Sequence, residues 1–183
     1  IFLSDQDDEW LPEKVEKYVE FLEKNPEIEV VASNGYGIDE NNKILPVYTL
    51  WDVPSFFKEK NIPINYFEMI AFCGNIVTGA TVALRKSFLP NILPFPMIKD
   101  FHHDEWIGLK AAVENKLHLF EEKYFKYRAH ENQQVGGIFF KKTEKEKRML
   151  IRMFDFSLHD KKFISYKRIL KKLVTSVEKN KKL

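Results

Sequence analysis

The first 33 residues constrain this chain more than any other stretch, because they combine two apolar segments, a run of carboxylates and a helical pattern. Residues 1–4 are apolar or small and lead directly into the acidic run Asp5 to Glu9, as in a buried strand that delivers carboxylates to the edge of a sheet. Apolar residues at helical spacing follow over 11–22. Asn25-Pro26 ends that helix before a predicted strand at 28–33. The order strand, acidic turn, helix, strand predicts an α/β fold.

Three later segments are predicted to add further β structure. Residues 36–48 are typical of a hairpin with a polar turn. Residues 78–84 are small and β-branched, which predicts a core strand. Leu117 to Phe120 predicts a short strand, after which residues 124–132 are expected to leave the sheet. Carboxylates that follow a strand then lie at the carboxyl end of the sheet, where open α/β sheets bind ligands.

Helical patterns follow these segments. One helix is predicted to begin near Asp104, and Thr143 with Glu146 has the spacing of a capping box ahead of another. We expect a catalytic domain over residues 1–140 and a C-terminal helical extension over residues 141–183.

The composition is that of a folded globule. The chain has 183 residues, of which 44% are hydrophobic and 14% aromatic, including 16 Phe, so it can bury a sizeable core. Its one cysteine, Cys73, excludes an internal disulfide and a cysteine-based zinc site, and is interpreted as a small buried hydrophobe in a reducing compartment. The longest charge-free run, residues 69–84, is shorter than a membrane-spanning helix requires.

Charge is distributed unevenly along the chain. Residues 161–183 contain nine Lys or Arg and one Glu, whereas the net charge of the whole chain is only +2. The rest of the chain is therefore acidic overall. This argues against a nucleic-acid-binding domain, because such a domain presents a basic folded surface.

Two clusters of polar residues could carry chemistry. Asp5, Asp7 and Asp8 offer hard oxygen ligands that suit Mg²⁺ or Mn²⁺ bound together with a substrate phosphate. The alternative is a solvated acidic turn that caps the following helix. The segment His102 to Glu105 could supply a general base at a helix start, and its alternative is an ordinary N-cap aspartate.

Four motifs occur in order between residues 2 and 132. They are Phe2 to Lys14 with Asp5-Gln6-Asp7-Asp8 at its centre, Val77-Thr78-Gly79-Ala80-Thr81, His103-Asp104-Glu105-Trp106, and Tyr127-Arg128-Ala129-His130-Glu131-Asn132. With these motifs the chain resembles the family 2 glycosyltransferases of the GT-A fold, in particular the bacterial rhamnosyltransferase-like subgroup. The resemblance implies an incomplete GT-A mixed sheet with flanking helices. It also implies inverting transfer of a sugar from a nucleotide-diphosphate donor to an acceptor hydroxyl, in polysaccharide or cell-surface glycan synthesis.

The resemblance implies roles for individual residues. Asp104 matches the general base, and Glu105 is the neighbouring candidate. The residues matched to the donor diphosphate are Asp5, Asp7, Asp8, Arg128 and His130, of which Asp5 and Asp7 also match the ligands of a Mg²⁺ or Mn²⁺ cofactor. The residues expected on the acceptor side are Gly79, Thr81 and Trp106.

The implied partners are a nucleotide-diphospho-sugar donor and a glycan or lipid-linked acceptor, and the implied location is the cytoplasm, at the inner face of the cell membrane. The part of the family that grips the nucleotide base and ribose is expected upstream of Ile1. We therefore expect the 183 residues alone to show little or no transfer. The alternative function is a non-catalytic module that binds a sugar, a nucleotide or a partner protein on the same scaffold.

The basic C-terminal segment leads to a first testable prediction. A helix that begins near Lys161 would place apolar residues on one face and lysines on the other, and such a helix can lie on an anionic membrane. The alternative is a helix packed on the domain with a solvated lysine face. If the membrane interpretation is right, deleting residues 161–183 should abolish co-sedimentation with anionic vesicles, while neutral vesicles bind neither form. Equal binding by both forms would contradict it.

Overall fold

The computed structural model describes residues 1–96, 101–129 and 138–158, which form a mixed α/β fold. Its strands are β1 (Glu9–Trp10), β2 (Val30–Ile38), β3 (Val47–Thr49), β4 (Ala83–Leu84), β5 (Leu117–Arg128) and β6 (Phe139–Lys141). Its α-helices are α1 (Lys14–Lys24), α2 (Val53–Glu59), α3 (Tyr66–Glu68), α4 (Leu89–Ile92), α5 (His103–Val113) and α6 (Glu144–Phe154). The α/β prediction is confirmed at this level, and the predicted helix at Lys161 lies outside the described residues.

The main sheet is built around a parallel pair of long strands. Its strand order is β1-β5-β2-β4, with β2 and β5 parallel at the centre and β1 and β4 antiparallel at the edges. A second, two-stranded sheet pairs β3 with β6. The chain between β2 and β5 contains several helices, which is the kind of long connection that a parallel pair requires.

Alternate residues of β2 face two different cores, as the two-residue period of a strand dictates. Val30 and Ala32 lie in the larger core, whereas Val31 packs on Tyr18 of α1. The larger core takes its other members from the strands and from α2, α5 and α6, including Phe56, Phe57, Ile107, Leu109, Leu150 and Phe154. The sheet therefore has α1 on one face and the other helices on the opposite face.

The predicted buried strand at residues 1–4 is present only as a short edge pairing, and it is not buried. Phe2 makes a single antiparallel bridge with Ala83, supported by a 3.0 Å hydrogen bond from the Leu3 N–H to the Val82 carbonyl, and Ile1 is exposed. The regular strand comes after the acidic run instead, at Glu9–Trp10, where it pairs with β5. The carboxylates therefore sit in a turn between two short edge pairings.

The expectation that the chain leaves the sheet after residue 120 is also wrong for the described residues. β5 continues to Arg128, and the pairing with β2 resumes at Gly35 and ends at Ile38. Between the two paired stretches lies a bulge, in which Ser33 pairs with Phe120, Asn34 with Lys123 and Gly35 with Phe125. Residues 130–132 lie outside the described residues.

Polar side chains fill this bulge. The Asn34 amide donates to Asp52 Oδ1 at 2.8 Å, and Lys123 Nζ donates to the Gly35 carbonyl at 2.8 Å and to Asp52 Oδ1 at 3.3 Å. Asp52 also accepts the Thr49 N–H at 2.8 Å. Because buried polar groups are stable only when they are hydrogen-bonded, this network holds the irregular stretch of the sheet in one arrangement.

The predicted core strand at residues 78–84 is confirmed only at its end. Gly79–Thr81 is a 3₁₀ turn, and only Ala83–Leu84 is a strand, although residues 79–84 are all buried. The Thr81 N–H and hydroxyl both donate to the Thr78 carbonyl, at 2.8 and 2.7 Å. A threonine side chain that bonds to nearby backbone competes with sheet pairing, which is why the β-branched composition did not produce a longer strand.

Helix α1 ends at Asn25 as predicted, but its buried face differs from the predicted apolar stripe. Tyr18 and Lys14 are fully buried, whereas Val15 and Val19 are 44% and 40% exposed. Helix α6 begins at the predicted cap, where the Thr143 hydroxyl accepts the Glu146 N–H at 3.2 Å. The hairpin turn is also present, since Ile38 and Ile44 form an antiparallel bridge.

An aromatic cluster joins the main sheet to the segments beside it. Its buried members are Trp51, Ala80, Phe125 and Ile138, and its partly buried members are Trp10, Tyr127 and Phe139. The Trp51 ring lies 4.9 Å from the Phe125 ring and 5.5 Å from the Tyr127 ring, both at steep angles. These edge-to-face contacts add to the stabilisation from burial. Trp10, which follows the acidic turn, packs against the same cluster.

The contact between Gly35 and Phe125 leads to a stability prediction. A Cβ built on Gly35 would lie 2.3 Å from Phe125 Cε1, whereas one built on Gly74 would lie 3.4 Å from the Phe154 ring. Gly35→Ala should therefore lower the free energy of unfolding by about 1–3 kcal/mol, as overpacked cores do, and Gly74→Ala serves as the matched control with a small effect. Urea denaturation of both variants tests this, and equal stabilities would contradict the proposed packing.

Candidate functional site

The acidic turn lies at the end of the sheet where β5 terminates. Asp5 and Asp7 are exposed, whereas Asp8 is half-buried. Asp8 Oδ1 accepts the backbone N–H of Arg128 at 3.1 Å. Asp8 Oδ2 is buried and has no hydrogen-bond partner within the described residues. A buried carboxylate oxygen without a hydrogen-bond partner is rare and needs an explanation. One explanation is that this oxygen serves as a ligand for a hard cation such as Mg²⁺, which binds carboxylate oxygens.

Burial raises the pKa of Asp8 to about 6, with the Arg128 N–H acting against it and the charges of Asp5 and Asp7 adding to it. The charge of Lys14 also lowers this pKa. The carboxylate is therefore mostly ionised at pH 7. A bound cation would favour the ionised form further.

The Arg128 side chain holds the acidic turn against the hairpin turn. Its Nε donates to the Asp7 carbonyl at 3.0 Å, and its Nη1 donates to the Asp39 carbonyl at 3.0 Å. The guanidinium thus fixes the backbone that carries the carboxylates. Its predicted contact with a donor diphosphate stays a prediction, and His130 lies outside the described residues.

The alternative in which the acidic turn caps α1 is wrong. The helix begins at Lys14, the N-cap position is Glu13, and no side chain makes a capping hydrogen bond there. The turn is instead separated from the helix by β1. Its carboxylates are therefore placed by the sheet edge and not by the helix.

Lys14 lies beneath the acidic turn. Its side chain is fully buried, and its Nζ donates to the Ala80 carbonyl at 2.6 Å. The ammonium group is 4.4 Å from the centre of the Trp10 ring, within the range of a cation–π interaction. Burial lowers the pKa of Lys14 to about 8, although the charges of Asp8 and Asp5 raise it. Lys14 is therefore mostly cationic at pH 7.

Asp104 occupies the first turn of α5 and reaches back to the 3₁₀ turn. Its Oδ2 accepts the Gly79 N–H at 3.0 Å and its Oδ1 accepts the Glu105 N–H at 2.7 Å. The alternative of an ordinary N-cap aspartate is wrong, because the N-cap position is His102. A Cβ on Gly79 would lie 3.2 Å from His103 Nε2, so the absence of a side chain lets the helix approach the turn closely.

Three other predicted site residues, Glu105, Thr81 and Trp106, are buried or partly buried. Glu105 is buried in the first turn of α5. Thr81 is fully buried with its hydroxyl bonded to the Thr78 carbonyl. The Trp106 indole donates to the Ile92 carbonyl at 3.0 Å. Their roles on the catalytic and acceptor sides stay predictions, and each also has a structural contact.

Tyr127 lies within electrostatic range of the acidic turn and of Asp104. Burial raises the pKa of its phenol to about 12, and the charges of Asp8, Asp5, Asp104 and Asp7 raise it further, in that order. Four carboxylates from two separate motifs therefore act on one phenol. The same side chain belongs to the aromatic cluster, where its ring packs against Trp51.

Sequence reasoning missed Lys14 and Tyr127 as site residues. Lys14 lies four residues before the buried Tyr18, so helical periodicity places it on the buried face, and a charged residue there was the available signal. Tyr127 belongs to one of the motifs, but no signal in the sequence showed that it faces the carboxylates.

The described residues contain no group of three or more His, Cys, Asp or Glu side chains arranged to hold a metal ion. A site of the kind predicted needs only one or two carboxylates, because the substrate phosphates supply the other oxygens. The exposed Asp5 and Asp7 and the unpartnered Asp8 Oδ2 are chemically suited to such a site. None of the described helices has the length and apolar character needed to cross a bilayer.

Comparison with known proteins gives one informative similarity. The chain matches no family model. It is 28% identical over 129 residues to an uncharacterized glycosyltransferase of Methanocaldococcus jannaschii. The aligned region covers 70% of this chain and 41% of that protein, so the chain spans less than half the length of this relative.

The pKa of Asp8 leads to a prediction on stability. The folded protein holds the Asp8 proton more tightly than the unfolded chain, since the pKa rises from 3.8 to about 6 on folding. The protonated Asp8 side chain makes its full contribution to the free energy of unfolding below pH 3.8, its pKa in the unfolded chain. That contribution is lost as the pH rises through about 6, its pKa in the folded protein. Asp8→Asn should therefore gain stability relative to the wild type between pH 4 and 7, roughly the interval that these values define.

Urea denaturation in EDTA across this pH range measures the effect. Glu16→Gln, on the exposed side of α1, is the matched control for loss of one negative charge. A difference between Asp8→Asn and wild type that does not change with pH would show that Asp8 is not buried as described.

Proposed function

We propose that the chain is part of a glycosyltransferase that moves a sugar from a nucleotide-diphosphate donor to an acceptor hydroxyl. The observation that carries the proposal is the hydrogen-bonded connection between the two motifs, in which Lys14 beside Trp10 donates to the Ala80 carbonyl and the adjacent Gly79 N–H donates to Asp104. The similarity to a glycosyltransferase supports the general class of reaction. The four ordered motifs support the finer assignment to the GT-A fold, family 2 and its rhamnosyltransferase-like subgroup.

In this proposal Asp104 is the general base. Its two oxygens accept the Gly79 and Glu105 N–H groups, which fixes the plane of the carboxylate. An ionised carboxylate has about four acceptor sites, so it can still accept a substrate hydroxyl. As the acceptor oxygen attacks the anomeric carbon, Asp104 takes the hydroxyl proton, and the bond from that carbon to the diphosphate breaks. Attack opposite the leaving group inverts the configuration.

The acidic turn is proposed to bind the diphosphate leaving group through a cation. Asp5 and Asp7 are proposed to hold Mg²⁺ or Mn²⁺ together with the donor diphosphate, and the cation would stabilise the negative charge that grows on the departing oxygen. Asp8 contributes its unpartnered oxygen to the same region. Arg128 keeps the turn in position through the Asp7 carbonyl, so the chain presents the carboxylates without having to order them on binding.

The acceptor and the location follow from the same family resemblance. We propose a glycan or lipid-linked acceptor, with Gly79, Thr81 and Trp106 on its side of the site, and a cytoplasmic enzyme at the inner face of the membrane. The acidic balance of the chain outside residues 161–183 disfavours a nucleic-acid partner.

Substitution of the two proposed groups should separate their roles. In the protein as its gene encodes it, screened with nucleotide-sugars and Mn²⁺, Asp104→Asn should reduce kcat by roughly 10²–10⁴-fold, as loss of a general base does, with Mn²⁺ binding unchanged. Asp7→Asn should weaken Mn²⁺ binding, measured by electron paramagnetic resonance. Glu114→Gln, at the other end of α5 where the side chain pairs with Lys116, is the control.

Retained transfer in both aspartate variants would refute the site assignment. Binding of nucleotide-sugar and Mn²⁺ without any transfer by the wild type would favour the non-catalytic binding module instead.

A further inference from the structure

The 3₁₀ turn Gly79–Thr81 is held by hydrogen bonds from two helices. On one side, α1 donates through Lys14 Nζ to the Ala80 carbonyl at 2.6 Å and through the Tyr18 hydroxyl to the Thr81 carbonyl at 2.7 Å. On the other side, Asp104 of α5 accepts the Gly79 N–H. Because Lys14 and Tyr18 are four residues apart, they lie on one face of α1 and donate to the carbonyls of two consecutive residues.

A buried ammonium group is costly unless charges and hydrogen bonds compensate it. Lys14 is 0% exposed and donates one hydrogen bond to a neutral carbonyl. The rings of Trp10, Phe125 and Tyr18 also surround it, with centres at 4.4, 5.5 and 5.6 Å. An apolar side chain of the same length would fill this space without the penalty. The position of the charge therefore calls for an explanation other than packing.

Two interactions at this position involve the positive charge of Lys14. The carboxylates of Asp8 and Asp5 act on the ammonium group electrostatically. The hydrogen bond that Lys14 donates to the Ala80 carbonyl holds the turn whose first residue, Gly79, donates to Asp104. Lys14 is thus the side chain through which the acidic turn and the general base are connected.

We propose that Lys14 is a positioning residue of the transferase, and that with Tyr18 it clamps the Gly79–Thr81 turn so that the Gly79 N–H holds Asp104 in its working orientation. This inference rests on the proposed function. It extends the site to two residues of α1 that contact neither the diphosphate nor the acceptor in the proposed arrangement.

The clamp can be tested in the 183-residue chain without any activity. The Gly79 amide proton should resonate at low field because it donates to a carboxylate, and the chain has only 7 glycines to distinguish in an amide NMR spectrum. Lys14→Met should shift this resonance to higher field, and Asp104→Asn should do the same. Lys17→Met, one turn along α1 where the lysine is exposed and paired with Glu20, should leave it unchanged.

The kinetic test uses the protein as its gene encodes it. Lys14→Met should lower kcat by roughly 10²-fold, the scale expected when a catalytic group is misplaced by about 1 Å, while the donor KM stays unchanged. Lys17→Met should match the wild type. A role limited to stability would instead lower the melting temperature and leave kcat intact, which would overturn the proposal.

A second variant covers the case in which Lys14→Met does not fold. Tyr18→Phe removes only the hydroxyl that bonds to the Thr81 carbonyl and should produce the same direction of change in the Gly79 resonance and in kcat. A Gly79 resonance identical to wild type in the folded variants would overturn the clamp. Absence of transfer by the wild type, together with the predicted Gly79 shift, would refute the proposed function and support the hydrogen-bonded arrangement.

Discussion

The parallel pairing of β2 with β5 is the constraint on which the rest of the structure depends. Its first half, from Val30 to Ser33, lies between two cores. Its second half carries Phe125 and Tyr127 into the aromatic cluster and ends at Arg128, which holds the acidic turn. The candidate site thus lies at the end of the same pair of strands that organises the core, and its carboxylates depend on where that pairing stops.

The sequence was most informative where a local pattern and the tertiary structure agree. Helix α1 ends at Lys24, just before Asn25-Pro26, and α6 begins at Glu144 after its Thr143 cap, because capping and proline act over a few residues. The motifs also identified Gly79 and Asp104, which the structure places in direct hydrogen-bond contact.

The remaining errors have identifiable physical causes. The polar residues at 121–123 interrupt the apolar pattern of β5, so periodicity indicated an end where the strand has a bulge. The burial of Lys14 depends on Ala80 and Trp10, which approach it only in the folded chain. The edge pairing of Phe2 with Ala83 and the hydrogen bond from the Arg128 N–H to Asp8 are likewise long-range contacts. Local patterns contain no information about any of these.

The bulge between Phe120 and Phe125 divides β5 into a core half and a site half. Because Asn34, Asp52 and Lys123 fill it with their own hydrogen bonds, a residue gained or lost there need not propagate a register shift into the core, where a one-residue slip would turn every side chain over. The bulge therefore separates the half of β5 that packs in the core from the half that ends beside the acidic turn. A change in chain length at the bulge would alter where Phe125, Tyr127 and Arg128 lie and leave the packed half of the strand in register.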